Sequence, residues 1–284
     1  MTSITKTLFN LTSRQMAAIL IALAILPILV PIGLPIPVGV YAQDFYNEVE
    51  KLNPGDVVAL APSGMSYKSA RSVMKAFLIH AVVKKGAKVI FYSFSVGEPV
   101  QALRILEYTN LPSFGKQYGT DYVVFPYLSG EETALAAIGR DLGVLNVDVY
   151  GTVVEDLPIM TALADGPHST LRACALCWNL GAGSTFPEMW VRQWPATYGV
   201  RGIDGRGYQP IATWYGTYVF GALIQTAGWA EYEKLTGTVG EDLMKADVVS
   251  VTTTFVIALV IIANIGWIVT RGGQKKPKVE EKVI

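Results

Sequence analysis

Cys174-Ala175-Leu176-Cys177 is a C-x-x-C, a spacing that serves redox exchange when it opens a helix whose dipole lowers the thiol pKa. Here it lies in a largely apolar run, residues 171–178, that reads as a strand. Residues three apart on a strand point to opposite faces. The pair is therefore expected to be two small buried hydrophobes, unable to close a disulfide or share a metal. His80 falls on the apolar face of a predicted helix and reads as a core or interface residue. His168 sits in a turn, Gly166-Pro167-His168-Ser169. A metal centre takes three or four clustered ligands, and this spacing offers none. No metal, no cofactor and no catalytic residue is assigned.

Four Ser/Gly segments are the better candidates for binding. They are Ser63-Gly64-Met65-Ser66, Ser95-Val96-Gly97-Glu98, Leu128-Ser129-Gly130-Glu131-Glu132 and Gly181-Ala182-Gly183-Ser184-Thr185. Glycine lets backbone approach a ligand, and helix N-termini attract anions. Ser63, Gly64, Ser66, Gly97, Glu98, Ser129, Gly130, Glu131, Gly181, Gly183 and Ser184 are the candidate ligand contacts. The same residue types are ordinary turn and cap formers. Acids such as Glu98, Glu131 and Glu132 also stabilise a first helical turn without any ligand. The last segment lacks the P-loop lysine and does not match G-x-G-x-x-G.

These segments follow predicted strands at residues 57–62, 88–94, 121–127 and 171–178. Predicted helices occupy residues 69–83, 99–108, 131–142 and 187–198. Apolar strands separated by helices imply a mainly parallel sheet with helices on both faces. The fold class expected is therefore α/β, a Rossmann-like doubly wound domain, whose ligands bind beyond the carboxyl ends of the strands.

Apolar residues are 51% of the 284 and charged residues 16%, against about 25% charged in soluble domains. The deficit points to lipid-facing segments. Residues 15–43 carry no charge, and neither do residues 248–270. Each is long enough for a crossing, which takes about 20 apolar residues. Pro27 and Pro31 predict a kink or an early end in the first, and Asn264 in the second is expected to bond another helix or to snorkel. The expected organisation is a tail (1–14), a transmembrane signal anchor (15–36), an α/β domain (37–247), a second transmembrane helix (248–270) and a basic tail (271–284). Lys6 and Arg14 make the first tail +2; five basic residues against two acids make the last +3. Positive flanks stay cytoplasmic, which places the chain in the cell membrane with the domain outside. Val40-Tyr41-Ala42 also has the form of a signal-peptidase site, and an uncleaved anchor is the favoured reading.

Residues 207–230 are uncharged as well, but too rich in Gln, Thr and Gly for a third span. Residues 211–235 read as a helix apolar nearly all round, which must be buried in the domain, in an oligomer interface or along the membrane surface; Trp214, Tyr218, Phe220, Ile224 and Trp229 are the expected interface residues. The leading functional expectation is a structural or scaffolding membrane protein that assembles through its outer domain. Its partners would be the bilayer, further copies of itself and possible other membrane subunits. The alternatives are a ligand-binding or sensing subunit using the Ser/Gly crevice, and a membrane-surface hydrolase or transferase using Glu98 or Glu131. A zero net charge gives no basic face for nucleic acid.

Overall fold

The computed structural model describes residues 12–30, 34, 36–62, 67–130, 132–180, 202–204, 215–216 and 219–272. They fall into two compact units, one of residues 1–34 with 244–284 and the other Pro35–Leu243.

The first unit holds α1 (Ser13–Leu29) and most of α7 (Glu241–Gly272). Thr12 starts α1 through a capping box, with Gln15 N–H donating to its hydroxyl and its own N–H donating to the Gln15 side chain. The helix contains Pro27 and ends at Leu29, ahead of Pro31, as prolines this close together require. Its 17 residues rise about 26 Å, the short end of what a crossing takes. α7 is long and apolar enough to cross a membrane. An 18-residue window of it has a mean hydropathy of 2.4, and none of that window is buried within the protein. Asn264 does not reach out of its helix: its amide donates to the Val260 carbonyl one turn back, at 2.9 Å. The Leu34 N–H donates to the Asp247 carboxylate at 2.9 Å, a tertiary link inside this unit.

The second unit is an α/β domain. Its strands are β1 (Val57–Ala61), β2 (Lys88–Ser93), β3 (Tyr122–Tyr127), β4 (Leu176–Asn179), β5 (Gly202–Asp204) and β6 (Val219–Ala222). They form one sheet in the order β3-β2-β1-β4-β5-β6, and every pairing is parallel. The period-2 side-chain rule sorts each strand into two cores. Val58, Leu60, Val89, Phe91, Val124 and Trp178 face one layer, which packs on α2 (Val40–Glu50), α3 (Tyr67–Leu78), α4 (Glu98–Thr109) and α6 (Gln225–Thr236). Val57, Ala59, Ile90, Tyr92, Phe125 and Cys177 face the other, covered by α5 (Glu132–Arg140) and short turns between Leu142 and Ala173. Strands buried on both faces read as unbroken apolar runs, which is why β1, β2 and β3 were plain in the sequence.

Two expectations need correction. The strand expected over 171–178 begins only at Leu176, because Leu171–Ala173 is a 3-10 turn. The predicted helix over 211–235 is two elements. Val219–Ala222 pairs with β5, and a helix starts only at Gln225, whose φ of 54° breaks the chain between them. An uncharged run rich in aromatic and β-branched residues suits either state by composition, and pairing with an available strand edge decided it. Residues 40–50, for which no element was expected, are helical. Ala42, Phe45 and Val49 form the buried stripe of α2, and Tyr41 packs against Tyr215 with ring centroids 4.7 Å apart. The domain thus uses residues on both sides of the Ala42–Gln43 bond. The predicted helix over 187–198 lies outside the described residues.

Gly221 of β6 permits the closest approach in this layer. A Cβ there would lie 2.3 Å from Phe45 Cα, so only glycine lets the α2 backbone cross the strand.

Candidate functional site

The strand order reverses between β1 and β4. From β1 the chain moves to β2, and from β4 to β5, so the two connections depart in opposite directions along the sheet. They leave from adjacent points, since Leu180 N–H donates to the Ala61 carbonyl at 2.9 Å. The segments that follow are 63–66 and 181–201. Ser63, Gly64, Ser66, Gly181, Gly183 and Ser184 lie within them, outside the described residues, as does Glu131.

The other candidates are described. Because all strands are parallel, segments that follow them share the carboxyl edge of the sheet. Gly97 is the N-cap of α4 and Glu98 its buried first residue, with Pro99 fixing the first turn. Ser129 and Gly130 are exposed after β3. Gly130 adopts φ +108°, and its carbonyl receives the Thr133 N–H at 2.9 Å to start α5. Beside them Ser93, the last residue of β2, is 2% exposed, and its hydroxyl has no hydrogen-bond partner among the described residues. Spacing alone did not single it out.

The proposed subunit-contact residues are placed otherwise. Trp229 is buried in the α2–α6 layer, and Ile224 packs half-buried on Val219 and Ala222. Phe220 lies in β6, half-buried. Trp214 and Tyr218 fall outside the described residues. Of these positions Trp229 is buried within the domain, while Phe220 and Ile224 remain half-buried.

Cys174 and Cys177 are both buried, and they share one core layer instead of facing apart, because Cys174 precedes the strand. Burial pushes the Cys174 thiol up to about 12 and that of Cys177 well above its ordinary value, with Cys174 adding to the latter. Burial thus favours the neutral thiol at both positions.

His80 is 1% exposed, in a π-helical turn (Ile79–Lys84) that extends α3. Its Nδ1 is 2.9 Å from the Tyr232 hydroxyl and its Nε2 is 2.7 Å from Glu50. Burial lowers the His80 pKa against the pull of Glu50, and burial keeps Tyr232 protonated. The neutral imidazole therefore accepts from Tyr232 at Nδ1 and donates from Nε2 to Glu50. Both ring nitrogens are satisfied, so this histidine is structural.

His168 is 60% exposed, with Nδ1 3.0 Å from Asp141 and Nε2 3.4 Å from Glu155. Three separate turns bring this cluster together, which no sequence spacing announces. Among the described residues no group of three or more His, Cys, Asp or Glu side chains is arranged to hold a metal ion.

Compared with known protein families, with curated proteins and with solved structures, the chain matches none of them.

Proposed function

We propose that the chain is a membrane-anchored binding protein whose Rossmann-like domain holds a small polar ligand at the switch point between β1 and β4. One observation carries this reading: the strand order reverses there. In open α/β sheets ligands bind outside the carboxyl ends of the strands at such a reversal. The two departing segments begin with Ser63-Gly64-Met65-Ser66 and Gly181-Ala182-Gly183-Ser184, and their glycines would allow backbone N–H groups to approach the ligand. The full chain in lipid nanodiscs should therefore melt higher with one member of a panel of nucleotides, sugar phosphates and amino acids. A ligand at about 100 times its Kd adds roughly 2.7 kcal/mol, which is several degrees for a domain of this size. Gly183→Val should abolish the shift. A flat response across the panel, together with a native mass of several copies, would favour assembly as a scaffold instead.

In this reading both termini are cytoplasmic, α1 and α7 both cross, and the domain lies outside. The basic tails support it. Cysteines introduced at Ser3 and Lys282 should react with an impermeant maleimide only after permeabilisation, and one at exposed Tyr150 should react in intact cells. The reverse pattern would invert the topology.

A further inference from the structure

A cleft runs along α4, away from the switch point. Arg104, Glu107 and Asn110 recur at three-residue intervals on its exposed side, and Tyr118, Tyr122 and Tyr150 stand against them. The cleft has a volume of about 590 Å³, within the range of small-ligand sites. Tyr122 begins β3, so this site is built from different elements than the reversal between β1 and β4, and it does not rest on the function proposed there.

The two walls differ in chemistry. On one side the rings pack edge to face, Tyr118 on Tyr122 at 5.7 Å and 88°, and Tyr118 on Tyr150 at 4.9 Å and 76°. Neighbouring rings stand nearly perpendicular and close together, so they leave no gap to enclose a cation between them, and Tyr150 is the ring most open to the cleft. The wall is also fixed in place. The Tyr118 hydroxyl donates to the Val124 carbonyl at 3.3 Å and accepts the Val124 N–H at 3.2 Å. Asp148, 2% exposed, accepts the N–H groups of Tyr150 and Thr152 at 2.9 and 2.7 Å and so sets the turn that presents Tyr150. The Tyr150 ring is nevertheless 69% exposed. A rigid aromatic surface open to solvent loses little entropy on binding.

On the other side Arg104 offers donors, Glu107 acceptors and Asn110 both. The opposite charges of Arg104 and Glu107 cancel, so the wall selects no net charge. An occupant complementary to both walls is uncharged, has a flat apolar face, and carries a rim of groups that donate and accept together. We propose that this cleft binds a neutral saccharide, with the C–H face of a pyranose on the exposed Tyr150 and its hydroxyls on Arg104, Glu107 and Asn110.

The test uses the full chain in lipid nanodiscs, free of glycosidic detergent. Maltotriose, cellotriose and N,N′,N″-triacetylchitotriose are the probes, with choline as a cationic control, read by saturation-transfer NMR and calorimetry. At least one trisaccharide should bind. Tyr150→Ala should weaken it roughly tenfold or more without lowering the melting temperature, since the ring is mostly in solvent. Absence of binding for all three at about 10 mM, a concentration that detects even millimolar affinity, overturns the proposal. So does binding that Tyr150→Ala leaves intact, or choline binding alone that this variant removes, which would assign the cleft to a cation.

Discussion

Trp178→Ala should strongly destabilise the α/β domain, with a loss of about 3–5 kcal/mol. Trp178 sits on β4, an interior strand of the sheet, and is fully buried. Its indole packs on Phe77 at 4.3 Å and on Phe45 at 5.3 Å, so it joins β4 to α3 and α2 at once. Total stability of a domain is only about 5–15 kcal/mol, and a cavity of this size removes a large part of it. The indole Nε1 has no hydrogen-bond partner among the described residues. Truncation therefore costs packing and no hydrogen bond. Trp178→Phe keeps most of the ring, removes an unpaired donor, and should stay within about 1.5 kcal/mol of the wild type. Thermal melts of the full chain in nanodiscs check both. A Trp178→Ala protein that melts like the wild type would mean that β4 is not at the centre of this core.

The second large effect is a pH dependence set by Glu233. This α6 carboxylate is 0% exposed. The Ser72 hydroxyl donates to one oxygen and the Leu243 N–H donates to the other at 2.8 Å. Gly240 lies against it so closely that a Cβ would sit 2.3 Å from Oε1. Burial drives the Glu233 pKa up to about 7 from an ordinary 4.5; the two hydrogen bonds oppose this, and the charge of neighbouring Asp242 adds to it. Below pH 4.5 the folded and unfolded chains are both protonated there. Between 4.5 and about 7 the folded state holds the proton and the unfolded state does not, so stability falls as pH rises, by roughly 3 kcal/mol in all. Glu233→Gln resembles the protonated form. It should match the wild type near pH 4 and exceed it at pH 8, by roughly 6–12 °C in melting temperature. A wild type that is the more stable of the two at pH 8 would show that the charged hydrogen bonds outweigh burial.

The elements legible in the sequence were those with one unambiguous physical signature. Val57–Ala61 and Lys88–Ser93 are too short for helices and apolar without interruption, so they read as strands buried on both faces. α3 and α4 were legible by their stripes. α2 was hidden by the prolines before it and by a cleavage-like Val40-Tyr41-Ala42, although its Ala42, Phe45 and Val49 recur at helical spacing. The break between β6 and α6 was not legible, because its marker is Gln225 at positive φ, a residue type that does not announce that conformation. For the site, the Ser/Gly segments could be read as following strands. The groups that come together from distant positions could not. His168 finds Asp141 and Glu155, and Tyr150 finds Tyr118, only through the tertiary path of the turns after α5.

The approach of α2 to Gly221 has a consequence for how the domain comes into being. The first helix of the domain finds part of its cover on the last strand and the last helix, β6 and α6, with every other element translated between them. Contacts so far apart in sequence are slow to form, since a long loop must close before they give anything back. At the usual 5–20 residues per second of synthesis, the apolar stripe of α2 waits roughly ten to forty seconds for α6 to emerge. During that interval Phe45 has no partner in Tyr232, against which it later packs at 4.9 Å. A nascent chain stopped before β6 would carry an amphipathic helix covered only in part, by Phe77 and Trp178, the kind of surface that chaperones bind and proteases clear.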